Sequence, residues 1–310
     1  MEVKIKNKAA AVRGAVHTDE GPIGKTLFSF AVPIIVMQLL QEFYNAADCF
    51  VVGNFAGKGA LPAVGLSGLV LSVIVNFFVG FSSGISVLTS QLFGRRETNR
   101  LGQLIVSAVG LAIIAGATFT AVAEILAGQI LFILHCPDAV VPDARIYLGI
   151  CLLGLAAQLL TGICQAILRS LGDTRTPLIL FACSALINLV LDLVLVIGLS
   201  SGIKGAAIAT VASEWLLAIT MLHSLMARSK GLYSFSNKNI STSHVRNLRD
   251  MLSLGFPAGM QALFMSISSL LIQTSINSFG PEAMGGMTVY AKLEGLLYYP
   301  AFSYGIALTA

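Results

Sequence analysis

The sequence predicts an all-α polytopic membrane protein, with a six-helix N-terminal lobe followed by the first two helices of a second, parallel-repeat lobe. Three observations predict it. Of the 310 residues 56% are hydrophobic and only 11% are charged, against about 25% charged in an ordinary soluble domain. The mean hydropathy of +0.84 is spread along the chain rather than held in one stretch. Lysines and arginines also alternate between rich and poor connections, as repeated bilayer crossings require.

A helix needs about 20 apolar residues to cross a hydrocarbon core of about 30 Å. Eight runs meet this, at 26–52, 60–90, 101–133, 145–170, 176–199, 203–227, 250–279 and 284–310. They lack the alternation and short length of barrel strands, so each is read as a helix. The connections of one parity, including the 1–25 tail, hold fifteen Lys and Arg, and those of the other hold three. The N-terminus is therefore expected in the cytoplasm of a multi-pass protein of the plasma or inner membrane. No cleavable signal peptide is expected, because the first apolar run is too long and lacks a small-residue cleavage site.

The connection 228–249 is polar, basic and poor in aliphatics, which suits a cytoplasmic linker between two bundles. It separates a 26–227 lobe from a partial 250–310 lobe of two helices. A shift of 224 places Ser29 on Ser253, Pro33 on Pro257, Leu39 on Leu263 and Phe55 on Phe279. With six crossings in the first copy, both copies enter the membrane in the same direction.

The net charge of +4 is too small and too scattered to argue for nucleic acid. The five cysteines, Cys49, Cys136, Cys151, Cys164 and Cys183, have neither C-x-x-C spacing nor nearby histidines and read as small core residues. His17, His135, His223 and His244 sit near segment ends or in loops and read as solvated. The run Gly53 to Gly59 is one residue short of a phosphate loop and has no Ser or Thr after Lys58. Gly80-x-x-x-Gly84 and Gly255-x-x-x-Gly259 read as close helix packing. No catalytic constellation stands out, so the chain reads as a non-enzyme without a cofactor.

Ionisable residues inside spans are costly and invite a functional explanation. Asp48 and Asp192 are the two best buried by position. Asn188 lies one helical turn before Asp192 on the same face, and Thr210 lies at comparable depth on the next, antiparallel segment. An oxygen-only set of this kind suits a hard cation such as Na⁺, and a carboxylate so placed also suits a proton. The same spacing fits interhelical hydrogen-bond glue. Gln38 and Glu42 on the first segment are candidate cavity-lining residues, as are Lys292 and Glu294 on the eighth, although the last two cannot share a helix face. Glu124 and Glu214 read as snorkelling or facing a water-filled crevice.

Tyr44-Asn45-Ala46-Ala47-Asp48, then Gly53 and Ala60-Leu61-Pro62-Ala63-Val64-Gly65, resemble the opening of the multidrug and toxic compound extrusion (MATE) family. Gln165-Ala-Ile-Leu-Arg169-Ser-Leu-Gly172-Asp173-Thr-Arg-Thr-Pro177 resembles its most recognisable signature, followed by Asn188-x-x-x-Asp192 and Gly205-Ala206-Ala207-x-Ala209-Thr210. The resemblance implies twelve helices in two lobes around a central cavity. It also implies export of drugs or other cationic amphiphiles in exchange for Na⁺ or H⁺, by a monomer in the lipid bilayer. Carried over residue by residue, Asp48, Asn188, Asp192 and Thr210 match the family's N-lobe cation site, and Lys292 and Glu294 its eighth-helix pattern. About four C-terminal helices are missing relative to the family, so the chain is expected to be truncated. Two other readings stay open: a lipid-linked oligosaccharide flippase, which wants a cationic cavity, and a non-transporting membrane scaffold or truncated relic.

Overall fold

A computed structural model describes residues 23–56, 60–133, 140–229, 240–277, 298 and 301–308. The readings of Lys58, His17, His135, Cys136, Lys292, Glu294, most of the tail and most of the eighth run lie outside these residues. The helices are α1 Ile23–Phe55, α2 Ala60–Gly94, α3 Thr98–Ile133, α4 Val141–Leu152, α5 Leu155–Ser170, α6 Arg175–Asp192, α7 Gly202–Ser229 and α8 Ile240–Asn277. A π-helical stretch, Leu193–Gly198, continues α6. Residues 301–308 are also helical, and no strand occurs among the described residues.

The exposed surface is far more apolar than that of a soluble protein, while a few polar groups lie inside. Phe43, Phe50, Ile125 and Phe132 are exposed on the outer surface, whereas Asn188 and Asp192 are buried. Six of the described helices are long and apolar enough to cross a membrane, and the bent pair α4–α5 would make a seventh span. The chain is an all-α, multi-span membrane protein.

Two differences from the sequence reading have local causes. The run 145–170 is not one straight helix. It breaks between Leu152 and Leu155 with a bend of 44°. Leu153 and Gly154 close the end of α4 with tight turns, their N–H groups bonding Ile150 O and Cys151 O. Carbonyls freed by a break in hydrocarbon need partners: the Thr120 hydroxyl donates to Leu152 O at 3.0 Å, and the Trp215 indole N–H to Leu153 O at 3.1 Å. The second difference is that residues 240–249, read as linker, form the first turns of α8. Hydropathy marks where a helix meets lipid, not where it starts.

Helix α5 is the central post, buried from Leu155 to Ser170 on most of its positions. Two apolar cores surround it. One joins the C-terminal half of α2, the N-terminal half of α3, α5, the end of α7 and Met251 of α8. The other joins α1, the N-terminal half of α2, the end of α3, α4 and the start of α7. The first is bounded by ion pairs. Arg100 Nη2 lies 2.7 Å from Asp250 Oδ2, tying α3 to α8, and Arg228 Nη2 lies 2.7 Å from Asp173 Oδ2.

The Asp173 link shows why the signature stretch has its composition. Gly172 has φ 86°, a region that favours glycine. The chain then reverses so that Asp173 Oδ1 accepts the Thr176 N–H at 3.0 Å in the first turn of α6. Arg228 from α7 also donates to the Thr176 hydroxyl at 2.8 Å.

The two small-residue motifs pack against each other. A Cβ on Gly84 would lie 2.5 Å from Gly255 Cα, and one on Gly80 2.5 Å from Ala258 O. In return, one on Gly259 would lie 2.8 Å from Phe77 O. Helices α2 and α8 therefore touch backbone to backbone. Asn76 Nδ2 donating to Ser266 Oγ at 3.0 Å extends the seam. Among the cysteines, Cys151 and Cys164 are buried as expected, whereas Cys49 and Cys183 are exposed. His223 is exposed, in line with its solvated reading.

Gly84→Ala is expected to destabilise the protein by roughly 2 kcal/mol, because backbone must move to admit the methyl. Gly110→Ala, with nothing within 4 Å of its added Cβ, is expected to be neutral or stabilising by up to about 1 kcal/mol. Melting temperatures in detergent compare the two. Arg228→Met strands a carboxylate that is 1% exposed and is expected to cost about 3 kcal/mol in the same assay.

Candidate functional site

Helix α1 places Tyr44 and Asp48 one turn apart on one side, and α6 does the same with Asn188 and Asp192. Asp192 is 0% and Asn188 1% exposed, while Asp48 and Thr210 are half-buried. The Asp48 and Asp192 carboxyl groups meet within hydrogen-bonding reach of each other. Neither oxygen of Asp192 has a donor, nor does Asp48 Oδ1, and the Asn188 amide nitrogen has no acceptor. Buried polar groups are normally satisfied, so this concentration of unsatisfied atoms needs an account.

Directly after Asp192 the backbone widens into the π-helical stretch, with the Leu199 N–H bonding Val194 O at 2.9 Å. Such widened turns recur at functional sites. The Thr210 hydroxyl donates back to Ala206 O at 3.0 Å and lies beside the Tyr44 hydroxyl. Tyr44 thus reaches from α1 to α7 beside the acidic pair, and its ring meets Phe181 of α6 edge-on at 6.2 Å. Of the four residues singled out, the structure brings Asp48 and Asp192 together and sets Thr210 beside Tyr44. Asn188 lies one turn from Asp192 on the same buried face.

The sequence offers two readings of Glu214, snorkelling or facing a water-filled crevice, and the structure removes the first. Instead of snorkelling, it points inward: Oε1 accepts a hydrogen bond from Gln158 Nε2 of α5, and Oε2 is buried with no donor. Gly154, at the break between α4 and α5, makes the room, since a Cβ there would collide with Glu214 Oε2. Glu214 acts electrostatically on Tyr44, and Asp48 acts on Glu214. Sequence reasoning missed Glu214, Gln158 and Tyr44 as a group. The available signal was the 3.6-residue period that sets Glu214 one turn from Thr210 and Tyr44 one turn from Asp48.

The other candidates fare differently. Gln38 and Glu42 are half-buried further back on α1. Glu124 is exposed, with its carboxylate over Gly149. Among the described residues, no group of three or more His, Cys, Asp or Glu side chains is close enough together to hold a metal ion. The donors present are carboxylate, amide and hydroxyl oxygens, a set that matches a hard monovalent cation or a proton.

The profile of the MatE family matches residues 33–194, more than half of the chain. The chain belongs to the MatE family. The matched stretch contains Tyr44, Asp48, Gln158, Asn188 and Asp192 and stops before Thr210 and Glu214. Curated relatives in the family's range include the probable multidrug resistance protein YpnP of Bacillus subtilis, 27% identical over 94% of this chain and 64% of its own. Another is the probable multidrug resistance protein NorM of Thermotoga maritima, 26% identical over 93% and 62%. The chain spans less than two thirds of the length of these relatives. Among solved structures, a MOP superfamily transporter from Pyrococcus furiosus superposes with a TM-score of 0.86 at 23% identity, covering 95% of this chain and 65% of that one. An outward-facing multidrug resistance MATE transporter superposes with a TM-score of 0.81 at 23% identity, covering 91% and 62%. These likenesses show that the MatE chain shares their fold.

A site with unbalanced buried charge is held against stability. Asp192→Asn is therefore expected to raise the melting temperature in Na⁺-free detergent solution, by about 1–3 kcal/mol of stability. A fall of that size would mean that Asp192 is a structural strut.

Proposed function

We propose that this MatE chain is a cation-coupled antiporter, or the larger part of one, that exports drugs or other organic cations across the cytoplasmic membrane. The single observation that carries the reading is the Asp48–Asp192 pair, with buried oxygens that no protein donor satisfies. Two carboxylates that meet with one fully and one partly buried repel each other unless a positive charge is bound between or upon them. Na⁺ or H⁺ supplies that charge, and the oxygens of Asn188 on α6 and Thr210 on α7 are the candidates to join its shell.

An ion bound there draws α1 toward α6, and its departure lets them separate. Only an ion with different affinities for two arrangements of the lobe can shift the balance between them. A pair held together by the ion in one arrangement and parted in the other meets that condition. The names of the relatives, multidrug resistance proteins, support small organic molecules as the exported class. The acidic character of the site favours this over a flippase for pyrophosphate-linked lipids, which would need basic groups there.

Dye efflux from proteoliposomes with an imposed Na⁺ or H⁺ gradient tests the proposal. Asp192→Asn is expected to lower gradient-driven efflux at least about 100-fold, the scale of a lost charge-assisted interaction. Tyr44→Phe, which removes only the hydroxyl facing Thr210, is expected to weaken the apparent ion affinity about fivefold. Unchanged efflux in Asp192→Asn would refute the assigned role.

A further inference from the structure

The acidic pocket does not end at the pair. Glu214 on α7 is a third carboxylate in the same interior. One of its oxygens is tied by Gln158, and the other is buried and open. Asp48 acts on both Asp192 and Glu214, and Gln158 on Glu214, while among the described residues no arginine or lysine acts on any of the three. Among the described residues, Tyr44 from α1 and Cys151 and Tyr147 from α4 also neighbour these groups, and none of the three carries a positive charge.

We infer that the Glu214–Gln158 pair, with the space left by Gly154, is a second cation-binding position, so that the lobe holds two positive charges rather than one. The inference rests on the antiporter reading of the Asp48–Asp192 pair and deepens it. Three negative charges for which the described residues offer no basic partner repel, and a single bound cation leaves two of them unbalanced.

The geometry of Glu214 is that of a receiving group. A glutamine donor holds Oε1 without cancelling its charge, where an arginine would have done both. The break at Leu153–Gly154 lets Oε2 lie against the backbone, where any side chain at 154 would collide with it. Asp192, fully buried with both oxygens lacking donors, shows that the neighbouring position is likewise unfilled by protein. Tyr44 is acted on by Glu214, Asp48 and Asp192 alike, so occupancy of one position is felt at the other.

The occupant of the second position is a compact monovalent cation, an alkali ion or a proton, and two readouts on the purified chain in detergent separate these sources. Scintillation proximity counts the radioactive Na⁺ bound per chain. Infrared difference spectroscopy counts protonated carboxyl groups through their C=O stretch. In the wild type the two counts are expected to total two positive charges. Glu214→Gln, which keeps the shape and a partner for Gln158, is expected to lose one charge: a bound Na⁺ if the second occupant is an alkali ion, an acid C=O band if it is a proton. Asp192→Asn removes the other.

Gln158→Met keeps the Glu214 charge and breaks its hydrogen bond. It should leave the total at two while weakening Na⁺ binding about tenfold or displacing the acid band. It also serves if Glu214→Gln does not fold. Identical Na⁺ counts and acid bands in wild type and Glu214→Gln would overturn the inference. So would a Gln158→Met protein with unaltered affinity and band position. Loss of efflux in Asp192→Asn alongside an unchanged charge count in Glu214→Gln would leave the antiporter reading standing and end this one. Unchanged efflux in Asp192→Asn would refute the antiporter reading, and this inference, which rests on it, would fall with it.

Discussion

Inside hydrocarbon a polar group has no water to fall back on, and each donor or acceptor must find a partner within the protein. Most of the structure obeys this closely. Serine and threonine hydroxyls along α2, α3, α7 and α8 return to carbonyls of their own helix, as Thr89 does to Ile85 O and Ser268 to Phe264 O. Ser86 and Ser170 pair across α2 and α5 at 2.7 Å. Even the break between α4 and α5 has its carbonyls taken up by Thr120 and Trp215. Against this background the unpartnered atoms of Asp48, Asn188, Asp192 and Glu214 stand out because they gather in one place.

The fold holds those groups together by different means at the two ends of the bundle. At one end, Arg100–Asp250 and Arg228–Asp173 lock helix ends, and the glycine seam lets α2 and α8 meet backbone to backbone. At the other, small residues of α7 such as Ala206 and Ala207 sink into the apolar core around α4. Between these regions the helices are irregular. The α4–α5 bend and the π-helical stretch after Asp192 both fall at the depth of the acidic cluster. A regular helix would present its side chains at fixed 100° steps. The bend and the widened turn change that spacing, giving Glu214 its volume and setting Asp192 at the edge of regular backbone.

Of the site, the part legible in the sequence was the part written in one helix at a time. Asn188 and Asp192 announce themselves by a four-residue spacing in an apolar run, and Asp48 by its isolation. Glu214 carried the same cost of burial but lay in a long segment, Gly202–Ser229, whose ends sequence alone could not place. Without the ends its depth is unknown, and snorkelling and burial look alike. Gln158, an uncharged side chain, raised no alarm by hydropathy. Its role comes from standing opposite Glu214 across 56 residues of chain.

Composition and apolar run length by themselves determined that the chain is helical and crosses the membrane several times, since both properties are local and hydrocarbon admits few alternatives. The ordered motifs from Tyr44 to Thr210 likewise sufficed to place it in its family. Tertiary structure alone decided that the two glycine motifs belong to one seam, that the fourth run is bent, and that three carboxylates share one interior. Those outcomes depend on which helix faces which. That is settled by long-range packing, where a few ångströms of register decide whether a carboxylate meets lipid, water or another carboxylate.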